Sequence, residues 1–454
     1  MRIWARKTYH HRHKNRHHKP LAASPPAILA GGFFLLIIIG TLLLKLPGAT
    51  NEPLSWLQSL FTATSAVTVT GLSVVDTGSE FTRLGDIIIM VLVQLGGLGF
   101  MTFSVVTALA LGTRLGLRHK IIAQEALNQT SIADVHKAAK IVVLFSLVIE
   151  TIGFLILTLA WQQQKGWETA SFEALFYTIS AFNNAGFGLE PSNLSNYVSN
   201  VPINLTICLL FIIGGLGFAI LADLWARRNW KDLRPYTKTI LIATAVINLL
   251  AFIAVLALEA NNPATLGQLE PGTKIIAAWF HALSPRTAGF NTVDIGAMKD
   301  ATSVFMMLLM FIGGGSMSTA SGIKIGTFVV LIFATYSFLR QRDEVNINKR
   351  RLSNQQVMKA LAVAVMSMAV IFVGIFALSI SEDANFLDLA FEVVSAAGTV
   401  GLSRGLTQNL SPIGQCTIMM VMFAGRVGPL TLIWLLATPK KGHLRYPKSN
   451  FQIG

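Results

Sequence analysis

SAVTVTGL (Ser65–Leu72), SAFNNAGF (Ser180–Phe187), SPRTAGF (Ser284–Phe290) and SAAGTVGL (Ser395–Leu402) are one motif written four times. Each copy runs from a serine to a glycine, and the glycines, Gly71, Gly186, Gly289 and Gly401, stand 115, 103 and 112 residues apart. The third copy is one residue shorter between the two. Ahead of each lies a helix-like stretch with an aromatic: LQSLFTAT with Phe61, FEALFYTI with Phe176, AAWFHAL with Phe280 and LAFEVV with Phe391. A second motif follows each time. QLGGLGF (Gln94–Phe100), IIGGLGF (Ile212–Phe218), FIGGGSM (Phe311–Met317) and FAGRVGP (Phe423–Pro429) come 24 to 29 residues later, counted to Gly97, Gly215, Gly314 and Gly425. Two motifs recurring four times in one order define a repeated unit. That unit reads helix, short re-entrant helix, glycine-ended loop, helix.

The rest of the chain says where these units sit. Of 454 residues, 53% are hydrophobic and only 13% charged, about half the charged share of a soluble domain. Such a chain is too apolar to be disordered and lacks the strand alternation of an outer-membrane barrel. Apolar runs at roughly 26–47, 84–109, 138–162, 201–224, 238–260, 302–337, 359–381 and 412–436 read as eight spans, each long enough for the ~30 Å hydrocarbon layer. The glycine-ended stretches between paired spans are too short to cross. Unit boundaries follow: a basic tail 1–25, units at 26–111, 112–225, 226–338 and 339–438, and a C-terminus 439–454.

The net charge of +14 comes from basic residues placed in short links between apolar runs. That placement argues against a nucleic-acid partner. Seven Lys/Arg in the N-terminal tail, five in 110–140, five in 222–238, six in 338–359 and four at the C-terminus put 27 of 36 on one face, while the other face carries 15 of the 22 acids. The positive-inside rule then assigns both termini and the inter-unit links to the cytoplasm and the four loops to the outside. The N-terminal stretch lacks the small-residue cleavage site of a secretory signal. Cys208 and Cys416 lie in apolar runs and read as core residues without a disulfide or metal site. The tail HHRHKNRHH reads as a solvated basic segment, able to meet anionic lipid.

Irregular backbone at membrane depth is tolerated only where protein buries it or water lines it. Four such loops around one axis make a ring of inward carbonyls, which substitute for the hydration shell of a cation. Glycine adopts positive φ without steric cost, so successive carbonyls can face one way. The short helices aim their C-terminal ends at the centre, where the negative end of the dipole favours a cation. The lining residues are Thr68, Val69, Thr70 and Gly71, then Asn183, Asn184, Ala185 and Gly186. The third and fourth copies add Arg286, Thr287, Ala288 and Gly289, and Gly398, Thr399, Val400 and Gly401. Small or neutral side chains beside each glycine point to backbone coordination. Anion binding would call for helix N-termini.

These strings, together with FIGGGSMSTASGIKIGTF in span six and FAGRVGP in span eight, resemble the Trk/Ktr/HKT superfamily of potassium transporters. Within it the chain is most similar to the membrane subunits of bacterial Ktr systems, over about residues 25–440. The resemblance implies an all-α polytopic membrane protein. It implies four fused outer helix–pore helix–filter loop–inner helix repeats around a pseudo-fourfold pore, with eight full transmembrane helices. It also implies potassium held at the filter residues, Na⁺ as a coupling or activating ion, a homodimer, and a cytoplasmic KtrA-like ring binding ATP or ADP. The location would be the bacterial inner membrane.

Span six stands apart. Ile312–Gly326 reads IGGGSMSTASGIKIG, and each glycine costs a helix about 1 kcal/mol relative to alanine. A broken helix is expected there, with the other three inner helices regular. The family resemblance makes this segment a gate, comprising Gly313, Gly314, Gly315, Ser316, Thr319, Ser321, Gly322 and Lys324. Arg426 is aligned with Leu98, Leu216 and Gly315 of the other units; an arginine at membrane depth costs at least ~2.5 kcal/mol and signals function. It either repels cations or bonds the broken segment, with a structural pair to Glu150 as the bland alternative. Glu150 in mid-span needs a partner, and Asp223 reads as an interface carboxylate. A solute symporter would carry inverted repeats, whereas these share one orientation. A protease built on Ser321 and His281 would need them at one level, and they fall on different ones. The chain therefore reads as no enzyme.

Overall fold

The structure, a computed structural model, describes residues 25–110, 132–316, 318–348 and 350–428. The basic tail, most of the first inter-unit link and the segment after Gly428 lie outside the described residues, as do the expectations made for them.

The first unit comprises α1 (Pro25–Leu44), α2 (Trp56–Thr68), the single turn α3 (Thr77–Glu80) and α4 (Arg83–Ala110). Ser55 starts α2 with a capping box, its hydroxyl accepting from Gln58 N while the Gln58 side chain accepts from Ser55 N. The second unit begins with α5 (Ile132–Phe182), which joins the outer helix to the re-entrant helix across a break at Gly166 (φ 75°). It continues as α6 (Val201–Leu216) and α7 (Phe218–Arg227). In the third, α8 (Pro235–Glu259), α9 (Pro271–Leu283), α10 (Asp300–Phe311) and α11 (Ile325–Leu339) follow in order. A small hairpin, β1 (Asn346–Ile347) with β2 (Arg350–Arg351), precedes α12 (Asn354–Ser381), α13 (Phe386–Gly398) and α14 (Pro412–Val427).

The short helices are central. Phe61, Phe176, Phe280 and Phe391 are each no more than 1% exposed, so the aromatic that marked every copy is the anchor burying its helix. The outer helices turn large apolar side chains outward, among them Phe34, Leu155, Ile253 and Phe372, as a lipid-facing surface does. Each inner helix packs on the next unit: α4 on α5, α6 on α9, α10 on α13, and α14 back on α2. The order is cyclic, and the last unit touches the first.

Three observations bear on the spans and the cysteines within them. Among the described residues three helices are long and apolar enough to cross a membrane, or four if the bent pair α6 and α7 is one span. The spans read as continuous are shortened by glycine breaks. Contrary to the expectation that only span six is irregular, among the described residues the first inner helix breaks at Gly99 (φ 58°), the second at Gly217 (φ 97°) and the third over the irregular segment after Ile312, while the fourth is described only as far as its cap Gly428 (φ 88°). The second bends by 96°. In GGLG and GRVG the last glycine takes a positive φ that other residues resist, so the irregularity of span six is the extended form of a shared device. Finally, Cys208 is buried as expected but Cys416 is exposed; both are free thiols.

Candidate functional site

Each short helix ends the same way. The residue two before the motif glycine sits in the left-handed region: Val69 (φ 56°), Asn184 (φ 60°), Thr287 (φ 72°) and Thr399 (φ 47°). Three of these are β-branched, for which that conformation is a strained outlier. The next residue's N–H returns to the motif serine's carbonyl, as Thr70 N to Ser65 O (2.8 Å), Ala185 N to Ser180 O (2.7 Å), Ala288 N to Ser284 O (2.9 Å) and Val400 N to Ser395 O (2.8 Å). The glycine then takes positive φ again: 89°, 70°, 76° and 92° at Gly71, Gly186, Gly289 and Gly401.

The four glycines meet. A Cβ on Gly71 would lie 2.2 Å from Ala185 O, one on Gly186 2.8 Å from Gly289 Cα, one on Gly289 2.3 Å from Val400 O, and one on Gly401 2.1 Å from Thr70 O. That circuit closes, and no side chain fits into it. All four glycines open on a polar cavity of about 440 Å³ whose lining includes Asp76, Glu190 and Asp294 and no lysine or arginine. Its potential attracts cations. At its rim burial raises the Glu190 carboxyl, but hydrogen bonds from Lys165, Asn196 and Tyr197 outweigh it and hold the group below the usual carboxylate range.

The motif serines serve two patterns. Ser65 and Ser395 hydroxyls accept from Gly71 N (3.0 Å) and Gly401 N (3.1 Å). Ser180 and Ser284 donate instead to the carbonyls after the glycine, on Phe187 and Phe290 at 2.8 and 2.5 Å.

Directly beneath lies the segment between α10 and α11. Its two ends pair as a parallel bridge, with Gly313 N bonded to Ile323 O (2.9 Å). Its middle presses upward: the Thr319 hydroxyl donates to Asn184 Oδ1 (2.8 Å), and Thr319 N reaches Gly214 O (3.3 Å). Gly313, Gly314, Gly315, Thr319 and Ser321 are buried, and Ser316 and Gly322 (φ 67°) are half-buried. The free carbonyls take cations. Lys324 Nζ donates to Ala320 O. Arg426 donates to Thr319 O (2.5 Å), Ser321 Oγ (3.2 Å), Gly96 O (2.5 Å) and Gly97 O (3.3 Å). One guanidinium on the fourth unit thus ties the third to the first.

Packing also corrects the alignment of Arg426. Cβ atoms on Gly96, Gly214 and Gly425 would fall 2.0, 1.9 and 2.2 Å from the carbonyls of Val67, Phe182 and Ala397, each four residues before a motif glycine. These three are equivalent, so Arg426 stands at the position of Gly97 and Gly215, one residue off the sequence alignment. Its partners are carbonyls, not Glu150.

Arg286, read as a ring residue, turns its side chain downward. It donates to Asn248 Oδ1 (2.5 Å) and to Gly313 O (3.4 Å). Glu150 accepts from Gln94 Nε2 at 3.0 and 3.2 Å, and Gln94 Oε1 accepts from Asn183 Nδ2 at 2.5 Å. Sequence reading passed over Gln94 and Asn248. Their signal was there, a polar side chain inside an apolar run. Asp223, read as an interface carboxylate, pairs with Arg227 at 3.0 Å and accepts from the Thr237 hydroxyl at 2.7 Å. His281 and Ser321 form no dyad, since the ring bonds Ala277 O and Thr292 N while Ser321 takes Arg426.

The TrkH family, described as a cation transport protein, matches residues 2–443. The chain belongs to this family. It is 49% identical to Ktr system potassium uptake protein B of Bacillus subtilis, over 92% of this chain and 94% of that one. It is 33% identical to potassium/sodium uptake protein NtpJ of Enterococcus hirae, over 91% of this chain and 94% of that protein. The crystal structure of the potassium transporter TrkH from Vibrio parahaemolyticus superposes with a TM-score of 0.73 at 20% identity, covering 93% of this chain and 87% of that one. At that identity the likeness speaks for the fold. TrkH-family members are transporters and not enzymes, so the ring is to be judged as an ion path.

Proposed function

We propose that this chain takes up K⁺ across the bacterial cytoplasmic membrane through the ring of Gly71, Gly186, Gly289 and Gly401. The closed circuit of those four glycines carries the reading. Four equal loops place backbone oxygens around one axis, and a ring of carbonyls substitutes for the hydration shell of a cation. In this reading the units 26–111, 112–225, 226–338 and 339–438 surround a pseudo-fourfold pore, with eight membrane crossings once glycine breaks are counted within spans. The acid-lined cavity is the outer mouth, and both termini are cytoplasmic.

The segment Gly313–Lys324 is the gate. It lies against the filter, and three cations hold its carbonyls without a carboxylate partner among the described residues. Flux requires those bonds to open. A cytoplasmic KtrA-like ring binding ATP or ADP would supply the force, acting on a homodimer of this chain through α11 and the links. The family relationship supports these partners, and the name of NtpJ supports Na⁺ as the coupling or activating ion.

⁸⁶Rb⁺ uptake in cells lacking other potassium systems tests this. Uptake inhibited by K⁺ and raised by Na⁺ is expected; cells expressing the chain at normal membrane abundance yet showing no uptake above background would overturn it. Cysteines introduced in 191–199 or 293–300 should react with impermeant reagents from outside, and those in 227–236 or 341–356 should not. The opposite labelling would invert the proposed orientation.

A further inference from the structure

The four short helices share one more position. Nine residues before the motif glycine, eight in the shortened third copy, stand Thr62, Tyr177, His281 and Glu392. All four are fully buried. Each follows the anchoring phenylalanine and lies behind its own filter loop.

Three of the four grip the chain as it leaves the ring. Leu189 N, three residues past Gly186, donates to the Tyr177 hydroxyl at 3.1 Å. Thr292 N, three past Gly289, donates to His281 Nε2 at 3.3 Å. The His281 tautomer follows, because Nδ1 lies 2.9 Å from Ala277 O and must donate to it, leaving Nε2 as acceptor. Glu392 accepts from the Ser403 hydroxyl, from Thr407 N at 3.2 Å and from the Thr407 hydroxyl at 2.9 Å. Phenol, imidazole and carboxylate do one job with three chemistries: each presents a buried acceptor to the exit limb. Thr62 does not reach that limb, and its hydroxyl has no hydrogen-bond partner.

We propose that Tyr177, His281 and Glu392 are positioning residues that set cation discrimination by fixing the exit limbs of three filter loops from their own short helices, while the first exit limb lacks that brace and is tied instead to the second loop by the Thr77 hydroxyl on Gly188 O. This rests on the filter reading above. The glycine holds positive-φ backbone between two anchored ends. The motif serine and the left-handed cap fix the entry, and the brace fixes the exit. A limb freed to relax lets the carbonyl ring change radius, and a ring that adapts to either ion loses its preference between them.

Tyr177→Phe tests this, since it removes one acceptor and keeps the ring packing. Glu392→Gln keeps the shape of the fourth brace, and Thr62→Val removes a hydroxyl that braces nothing. Expected is a fall of about tenfold in K⁺ over Na⁺ discrimination for Tyr177→Phe, the size of one buried donor left unsatisfied, and a smaller fall for Glu392→Gln, whose amide oxygen can still accept from Ser403 and Thr407 N. Thr62→Val should keep wild-type discrimination. Competition uptake at equal membrane abundance supplies the ratio, with melting temperature in detergent measured beside it. Tyr177→Phe and Glu392→Gln that melt lower but discriminate normally would overturn the proposal, because the residues would then be scaffold only. Gly186→Ser separates the two readings. If Gly186→Ser loses discrimination while the brace variants keep it, the braces fail and the filter stands. If none of the variants changes discrimination, the filter reading falls and the braces fall with it.

Discussion

The ring of glycine loops and the segment under it are built on opposite plans. The ring is one backbone conformation used four times, closed in each unit by the same backbone bond to the motif serine. The segment exists once, and three cationic side chains hold its carbonyls, Arg286 and Lys324 of its own unit and Arg426 of the fourth. A repeated structure gives one geometry to an ion on its axis. A unique structure bonded to its neighbours has somewhere to go when those bonds break. In the proposed function, discrimination belongs to what the units share, and control belongs to what only one has.

The sharpest way to break that contrast is to put a side chain in the ring. Gly401→Ser forces a Cβ to 2.1 Å from Thr70 O on backbone at φ 92°, and Gly71→Ser forces one to 2.2 Å from Ala185 O at φ 89°. A loss of at least about tenfold in K⁺ over Na⁺ discrimination is expected, read from competition uptake at matched expression. Unchanged ratios in both would remove the ring from selectivity.

Next comes the segment. Arg426→Ala, or deletion of Gly314–Gly322, should raise maximal K⁺ flux several-fold and leave the apparent affinity within about twofold, because each charge-assisted bond contributes roughly 1.5–3 kcal/mol. Lower maximal flux in both variants would make the segment scaffold. A smaller rise, about twofold, is expected for Asn248→Leu, which frees Arg286 from its 2.5 Å contact and loosens its weaker hold on Gly313. A rise equal to that of Arg426→Ala would show that the two arginines hold one shared bond network.

The smallest effect lies at the outer rim. Lys165 bonds Glu173 at 2.6 Å and Glu190 at 2.5 Å, so Lys165→Met should cost about 1 kcal/mol at neutral pH, with transport unchanged. Glu190 has a lowered folded pKa. Its contribution is therefore present above the unfolded carboxylate value and lost as pH falls through the folded one. Thermal melting of the variant should lose that acid dependence. A variant that melts like the wild type at every pH would take the clamp out of the stability account.

The repeat was legible because it depends on residue types that cannot be exchanged: a glycine where no Cβ fits, a phenylalanine where a helix must anchor. Span continuity was less legible. GGLG reads as apolar and close-packing, and nothing in its composition says that Gly99 and Gly217 change the helix direction while Gly96 and Gly214 stay helical and pack on carbonyls. The one-residue error at Arg426 has the same origin, since adjacent glycines give no register until a neighbour is placed against them. Arg286 was misplaced for a different reason. Its backbone belongs to the loop motif, but a long side chain is governed by the acceptors within reach, and those lie on α8 and on Gly313. Gln94, Asn183 and Glu150 were visible singly, and only the fold brings residues 89 and 56 positions apart into one chain.

The contact between Gly401 and Thr70 has a consequence for biogenesis. The circuit closes only where the fourth quarter of the chain returns to the first, and Arg426 crosses the same seam to Gly96, 330 positions away in sequence. During synthesis the first three loops are therefore made and inserted without their last neighbour. A nascent chain holds an open ring until the polypeptide is nearly complete. Contacts of such long sequence separation are slow to form, and closing this seam is expected to be the final and rate-limiting step of maturation.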